Sequence, residues 1–506
     1  MSKKLYPTLF VLFTAILFAQ APAIQWQKSF GGDGFDYASD IQLTSDGGYI
    51  VAGNSNSNNG YASGNHGGYD AWIVKLNSTG AIQWQKSLGG SNDDYGSSIQ
   101  QTSDQGYIIA GWSNSIDGDV SENKGGYDYW IVKLNTDGMI QWQKSLGGSG
   151  SNDRANAIQQ TSDGGYIVAG TSDSTNGDVL ENHGASDYWI VKLNAVGTIQ
   201  WQKSLGGNSF DEAKSIKQTL DGGYIVAGSS YSYDATEHNA IVSGWIIKLN
   251  ADGVIEWQKS LGGSGYNNGN GIMQTMDGGY IVAGSSDSSD GTVNHGNDDY
   301  WVIKLNNNGV IQWQKSLGGS QSDSAQSIQQ TSDEGYIVAG YSNSNNGNVT
   351  GNHGFYDYWI VKLNNNGAIQ WQKSLGGSRS ESANAIHQTL DGGYIIAGIS
   401  ESFNGDITLN HGGNGDYWIV KLDPEELNTN ELAMKTKVLL ENPVKDNLKI
   451  QSKETIISLQ LYNMDGQLIK IANSQNMFVK ELPKGIYILK IHFENGKTIS
   501  EKIIKE

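Results

Sequence analysis

Trp-Gln-Lys-Ser at residues 26–29 returns at 84–87, 142–145, 201–204, 257–260, 313–316 and 371–374, a period of 56–59 residues. Seven like units at that spacing make an array of repeats, each unit one supersecondary element. In the third copy four short β segments are legible: Ala157–Thr161 (AIQQT), Tyr166–Gly170 (YIVAG), Tyr188–Leu193 (YWIVKL) and Ile199–Leu205 (IQWQKSL). The third segment alternates, with Trp189, Val191 and Leu193 on one face and Tyr188, Ile190 and Lys192 on the other. Asp46-Gly47, Asp137-Gly138, Asp252-Gly253 and Asn308-Gly309 supply the positive φ that tight hairpins need. No proline lies between Ile24 and Asp423, as suits strands that donate to ladders on both sides.

Four antiparallel strands per unit, seven times over, predict an all-β chain whose body is a seven-bladed β-propeller. The array opens with a lone fourth strand, Ile24 to Phe30, and stops after a third strand, Tyr417 to Leu422. Pairing the two closes the ring through the N-terminal strand and removes two exposed edges. Fourteen of the fifteen tryptophans fall at two repeat positions, one in the third strand and one in the fourth. Rings of that size in strand interiors read as the packing between blades.

The ends of the chain differ from this body. Lys3 and Lys4 precede an apolar run from Leu9 to Phe18, with small residues at Ala19, Ala21 and Ala23, the pattern of an export signal over residues 1–23. A run of that length does not span a bilayer, and no later stretch is a transmembrane segment. Cysteine is absent, so no disulfide framework or thiolate metal site is expected. The whole chain carries −19; the signal holds +2 and residues 435–506 hold +4, which leaves −25 on residues 24–434. A body that acidic argues against nucleic acid and anionic membranes as partners.

Length varies in only two of the four connections. The step from third-strand to fourth-strand Trp is always 12 residues, and the step across the first hairpin, as from Ile158 to Tyr166, is always 8. From the glycine ending the second strand to the third-strand Trp the steps run from 17 to 20. From the Trp-Gln-Lys-Ser serine to the next first-strand Ile they are 12 or 13. Alternate connections of an antiparallel sheet emerge at opposite ends, so the two variable loops share one face, the candidate functional face.

Leading into the first strands on that face stand Asp36, Asp94, Asp153, Asp211, Asn267, Asp323 and Glu381. With the first strand innermost they would ring the mouth of a central channel, as a cation or ligand site or as caps on local amides. Carboxylates ~8 Å apart repel by roughly 2 kcal/mol at an effective dielectric near 20, so cations, protons or N–H donors must settle such a ring. The long loops share an Asx-Ser-x-Asx-Gly cadence, as in Asn114 to Gly118, Asp173 to Gly177 and Asp287 to Gly291. Its glycine comes one residue early for an EF-hand, and the closing acid is missing, so turn chemistry is the better account and Ca2+ a weak expectation. An Asn-His pair recurs at His66, His183, His295, His353 and His411, positions too far apart around a disc to share one metal. No metal or other cofactor is therefore expected. Two copies break the pattern: the second adds Trp112, and the fourth reads Tyr231-Ser232-Tyr233-Asp234 and loses the Asn-His-Gly signature. These aromatics would stack on a sugar or peptide, or pack locally.

The unit as it stands, from Leu-Gly-Gly through Asp-Gly-Gly-Tyr and Val-Ala-Gly to Trp-Gln-Lys-Ser, resembles the SBBP-type β-propeller repeat of bacterial secreted proteins over residues 24–423. That resemblance implies the fold and no particular activity. After a linker at 424–434, residues 435–506 are similar to a type IX secretion C-terminal sorting domain. Asn442-Pro443, the Asp465-Gly466 hairpin, Gly485-Ile486-Tyr487 and the basic tail carry the likeness, and Glu441 departs from it where the family has an aromatic. The resemblance implies a Bacteroidota-type host, the type IX machinery as partner through residues 435–506, and a secreted or cell-surface location. Without it this segment reads as a small β-sandwich.

Three functions fit these observations. One is a non-catalytic binding scaffold for a glycan or protein on the long-loop face. Another is a glycan-active hydrolase or lyase at the channel mouth, drawing acid and base from the ring. The third is a purely structural surface protein. Six similar acids at seven equivalent positions favour binding or plain structure over catalysis, which needs unlike groups in unlike surroundings.

Overall fold

The computed structural model describes residues 20–233, 242–289, 294–425, 439–440, 443–452, 455–462, 468–494 and 498–505. The export signal up to residue 19, the linker beyond Glu425 and the Asp465-Gly466 hairpin lie outside the described residues. Every regular element among the described residues is a β-strand. No helix there is long and apolar enough to cross a membrane.

In the third unit the strands run Arg154–Gln160, Tyr166–Ser172, Asp187–Leu193 and Ile199–Leu205, paired antiparallel in that order. The first strand starts three residues before the expected Ala157, because a bulge between Ala155 and Ala157 carries the ladder past an irregularity. It also stops at Gln160. Thr161 turns the chain instead, donating its hydroxyl to Asp163 Oδ1 at 2.5 Å while its N–H donates to Gly165 O at 2.9 Å. Gly164 follows at φ +80°, a region that other residues enter only at a cost. In the second and sixth units Gln105 and Glu334 occupy that position at φ 66° and 67°.

Six such sheets are each built from consecutive strands, between Asp36–Leu43 and Ile369–Leu375. A seventh takes Glu381–Gln388, Tyr394–Ser400 and Asp416–Leu422 from the end of the array and its outer strand, Ile24–Phe30, from the start. Phe30 pairs with Tyr417, Ser29 with Trp418 and Lys28 with Ile419. Trp418 donates its indole N–H to Gln27 at 2.8 Å, as Trp189 does to Gln202 within the third sheet at 2.7 Å.

Packing explains why third strands such as Asp187–Leu193 are buried on both faces. Trp189, Val191 and Leu193 join a core with Ile108, Ala110, Tyr129 and Ile131 of the second sheet. Ile190 and Tyr188 face the other way, into a core with Trp245, Ile247 and Leu249 of the fourth. The first and seventh sheets share a core in the same manner, with Trp72 and Val74 against Ala397, Tyr417 and Ile419. Tyr417 donates its hydroxyl to Trp72 O at 2.8 Å, the same bond that Tyr129 makes to Trp189 O at 2.8 Å.

The two tryptophan positions play different parts. Third-strand rings such as Trp72 and Trp189 are fully buried, whereas fourth-strand rings such as Trp142 are half-buried at the edge of the cores, Trp371 excepted. Trp142 meets Tyr166 of the next sheet edge-on, centroids 5.8 Å apart, and covers Gly197 so closely that no Cβ fits there.

Lysine on the third strand is buried as well. Lys192 Nζ, its side chain 4 % exposed, reaches Asp163 at 2.8 Å, and the same ion pair recurs in all seven units. Burial works to raise the carboxyl pKa, but bonds from Lys192, Thr161 and the Gly165 N–H prevail and hold Asp163 at about 2. The Asp-Gly-Gly-Tyr phrase is thus an ion-pair latch as well as a turn.

The chain divides into two compact units between Glu425 and Glu426. The second carries a four-stranded sheet (Leu468–Ala472, Ile456–Tyr462, Gly485–Phe493, Thr498–Lys505) and a smaller one (Leu439–Leu440, Asn447–Gln451, Asn476–Phe478). Val444, Leu448, Leu459, Met477, Leu489 and Phe493 fill one core between them.

Candidate ligand-binding face

Asp36, Asp94, Asp211, Asn267, Asp323 and Glu381 are the opening residues of their first strands, and Asp153 directly precedes its own. All seven are completely buried, which corrects the expectation that they line an open mouth. The reason is local. Gly32 N–H donates to Asp36 at 2.8 Å, and Ser57 Oγ donates to the same oxygen at 2.8 Å. Equivalent donors meet Asp94 from Gly90 and Ser115, Asp153 from Gly148 and Ser174, and Asp323 from Gly319 and Ser344. Asp211 is met by Gly207 and Ser232, and Glu381 by Gly377 N–H and Ser400. Asn267 accepts from Ser286 at 2.6 Å and Ser288 at 2.9 Å. Burial raises the pKa of Asp36, Asp94 and Asp153 against these donors, and brings Asp323 to about 6. Each acid clamps the loop entering its own strand.

Beside each clamp stands the first residue of a neighbouring third strand. A Cβ on Gly31 would overlap carboxyl oxygens of both Asp416 and Asp36, so the first glycine of Leu-Gly-Gly fits a gap between two acids. Asp70, Asp128 and Asp357 have pKa values raised by burial to about 6. The recurrent histidines answer these residues: His66 pairs through Nδ1 with Asp70 at 2.7 Å, His183 with Asp187 at 2.6 Å, and His353 with Asp357 at 2.6 Å. His295 and His411 do the same with Asp299 at 3.0 Å and Asp416 at 2.7 Å.

The long-loop cadence latches one loop to another rather than folding only on itself. Asn114 Oδ1 accepts from Asp93 N–H at 2.8 Å, Ser115 Oγ from Asn92 N–H at 3.0 Å and Asp117 Oδ1 from Ser91 N–H at 2.7 Å. Asp173, Ser174 and Asn176 hold Asn152, Gly150 and Ser149 in the same way. Oxygens that an ion would need are thereby occupied by amides. Among the described residues no cluster of three or more His, Asp or Glu could hold a metal.

Seven equivalent backbone bonds tie each unit to the next on this face: Asp94 N–H to Tyr69 O, Asp153 to Tyr127, Asp211 to Ser186, Asn267 to Val242, Asp323 to Asp298 and Glu381 to Tyr356. The seventh, from Asp36 N–H to Gly415 O at 2.8 Å, joins the last unit to the first. Next to these conserved bonds the copies diverge. The residue after each clamp reads Tyr37, Tyr95, Arg154, Glu212, Asn268, Ser324 and Ser382. Its cross-strand partner on the second strand reads Asn54, Trp112, Thr171, Ser229, Ser285, Tyr341 and Ile399.

In the first three units these positions build one aromatic row. Tyr69 stacks on Tyr95 (5.5 Å, 25°), and Tyr95 stacks on Trp112 (5.1 Å, 29°). Tyr127 meets Tyr95 edge-on at 6.3 Å, and Arg154 lies 5.6 Å from the Trp112 centroid and 5.0 Å from that of Tyr127. All five side chains are half-buried. Trp112 therefore sits in a strand, inside this row, rather than on a loop. Tyr231 and Tyr233 do lie on the loop, 42 % and 62 % exposed, in the unit that also exposes Phe210. Neither joins the row around Trp112. Tyr37, Tyr69, Tyr95, Tyr127 and Arg154 escaped the sequence reading; aligning the seven copies marks Arg154 as a departure, whereas Tyr recurs at the position of Tyr37 and Tyr95 and at that of Tyr69, Tyr127 and Tyr356.

Two concavities lie apart from the row's own residues. One, of about 280 Å3, is lined by Lys214, Asn268, Asn270, Asp298, Tyr341 and Tyr356 among others. Another, of about 310 Å3, is bounded by the first strands of all seven sheets. Its wall carries four charged or titratable departures from the repeat, Asp40, Lys214, Lys217 and His387. Burial and the neighbouring Lys217 hold His387 at about 4, and burial lowers Lys217 despite Asp40.

Residues 442–506 match the family model of the secretion system C-terminal sorting domain. The chain thus ends in an export domain of the type IX kind, which marks a secreted or surface protein of a Bacteroidota-type bacterium and implies contact with that machinery. No curated protein matches the chain. Among solved structures it is similar to a protein of unknown function from Bacteroides caccae, at 13 % identity over 61 % of this chain and 92 % of that one, TM-score 0.35. It is also similar to the extracellular domain of a hybrid two component system from B. thetaiotaomicron (12 %, 96 % and 60 %, TM-score 0.42). A third is the Pan2 WD40 domain of Neurospora crassa (11 %, 77 % and 90 %, TM-score 0.41).

Proposed function

We propose that residues 24–423 form a seven-bladed β-propeller of the SBBP type, closed by the Ile24–Phe30 strand, and that it is a non-catalytic scaffold binding a glycan on its long-loop face. Closure is supported by the shared first and seventh core, the Asp36–Gly415 bond and the Tyr417–Trp72 bond. The observation that carries the binding reading is the half-buried row Tyr69–Tyr95–Trp112, in which three rings stack face to face across the first two units. Flat aromatic faces flanked by Asn, Ser and Asp suit the alternating apolar and hydroxyl faces of a sugar ring. Catalysis by the ring acids is disfavoured, because those carboxyls share one surrounding and are closed to solvent. Tyr231 and Tyr233 extend the face in the fourth unit.

The test is retention of the exported chain on a panel of polysaccharides, with and without calcium. Trp112→Ala and Tyr95→Ala should each lower retention at least tenfold at unchanged melting temperature. Retention unaffected by both, or found on no polysaccharide, refutes the reading; the second outcome favours a purely structural protein. Product release from any glycan would instead promote the hydrolase or lyase.

A further inference from the structure

Arg154 is one of two arginines in the chain and the only cation at its repeat position, where the other copies carry Tyr37, Tyr95, Glu212, Asn268, Ser324 and Ser382. Its guanidinium lies over the rings of both Trp112 and Tyr127. Among the described residues no carboxylate lies within ion-pair distance of it, and its buried Nε has no hydrogen-bond partner. The nearest acid of the row, Asp93, is occupied by Tyr69 N–H at 3.0 Å and Tyr127 Oη at 3.3 Å. In a body of net charge −25 an arginine without an acidic partner is unexpected, since carboxylates are plentiful. Two aromatic faces fix the plane of the fork and leave its N–H edge for a ligand.

We infer that the glycan is acidic, with a carboxylate or sulfate group received by Arg154 while the adjoining sugar ring stacks on Trp112 and Tyr95. This rests on the glycan-binding reading above and names its substrate class. A guanidinium accepts either anion through paired N–H donors, and its stacking leaves little side-chain entropy to lose on binding. The acidic body repels a polyanion at long range, so attraction must come from this one contact. Salt screens the distant repulsion more than the close pair. Affinity for an acidic oligosaccharide should therefore hold or rise between 10 and 150 mM salt, where binding to a diffuse basic surface would fall.

Calorimetric titration of the exported chain decides the matter, using an oligouronate, its carboxyl-reduced neutral counterpart and a sulfated oligosaccharide. One acidic arm should bind at least tenfold more tightly than the neutral arm, and the arm that does so identifies carboxylate or sulfate. Arg154→Gln should remove about ten- to a hundredfold of the acidic arm's affinity and so abolish its advantage over the neutral arm, with Arg154→Lys in between. Melting temperatures of both variants should match the parent. Equal affinity for neutral and acidic arms, or an acidic preference that survives Arg154→Gln, overturns this inference and leaves glycan binding standing. Binding of none of the three overturns both.

Discussion

Phe30 offers a sharp test of ring closure because the repeat supplies its own control. It stands in the outer strand donated by the N-terminus, 4 % exposed, at the position that Leu88 (5 % exposed) and Leu146 (6 %) occupy in intact units. If the leading strand is as firmly built in as the other fourth strands, Phe30→Ala should cost about 3–5 kcal/mol and Leu88→Ala about 2–5. An array of roughly 400 residues unfolding as one has an unfolding entropy near 0.8 kcal/mol/K, so each loss appears as a drop of about 2–6 °C. Calorimetry and urea unfolding of the exported chain measure both variants, and hydrogen exchange on residues 24–30 and 417–422 reports the junction directly. A Phe30→Ala variant within ~0.5 kcal/mol of the parent, beside a Leu88→Ala variant that loses several, would refute closure by this strand. A matching cycle of Tyr417→Phe and Tyr188→Phe removes the same inter-sheet hydroxyl bond at the junction and inside the array. Equal losses of about 1–2 kcal/mol are expected.

The ion-pair latch predicts an asymmetry: Asp163→Ala strands a buried ammonium and should cost about 3 kcal/mol, whereas Lys192→Met leaves only a half-exposed carboxylate and should cost less; urea midpoints in the reverse order would contradict the geometry. Stability should also peak near pH 4. Asp70, Asp128, Asp323 and Asp357 are raised by burial to about 6, so the folded chain holds extra protons between about pH 4 and 6 and loses up to ~3 kcal/mol per group as pH rises through that window. Asp46, Asp163 and Asp221, held at about 2, add stability above their unfolded pKa that is lost as pH falls toward 2, a smaller effect because these side chains are half-exposed. A melting temperature that rises steadily from pH 4 to 7 would show the buried acids to be differently settled. Gln105→Gly and Glu334→Gly should each stabilise by about 0.5–1 kcal/mol, since both sit at positive φ where five other copies place glycine; a loss in thermal midpoint would argue for a side-chain contact at those turns.

The strands were legible because period-two patterning and Asp-Gly turns act locally. Tyr188 to Leu193 declared two apolar faces in sequence, and the structure gives each face its own neighbouring sheet. Other features depend on groups far apart in the chain. Asp153 advertises a carboxylate near a turn, but its burial follows from Gly148 and Ser174 converging from two loops, the latter 21 residues away. The bulge at Ala155 lengthens a strand that propensity alone ends earlier. Trp112 was recognisable as an extra ring, while its partners Tyr69, Tyr95 and Tyr127 looked ordinary in a chain with 25 tyrosines.

What repeats and what varies in this chain lie side by side, and their adjacency has a physical cause. Successive residues of a strand point to opposite faces, so the residue after a buried clamp is presented away from it. Asp94 is anchored by Gly90 and Ser115, which fixes the backbone at Tyr95 whatever side chain stands there. The same holds for Asp153 and Arg154, and for Asp211 and Glu212. A site assembled from the clamps themselves would be copied around the array and could not tell one ligand orientation from another. A site assembled from the residues beside them inherits the rigidity of the clamps while each unit remains free to differ. On the proposed binding reading, recognition belongs to Tyr95, Trp112 and Arg154, with the clamps fixing the strands that carry them.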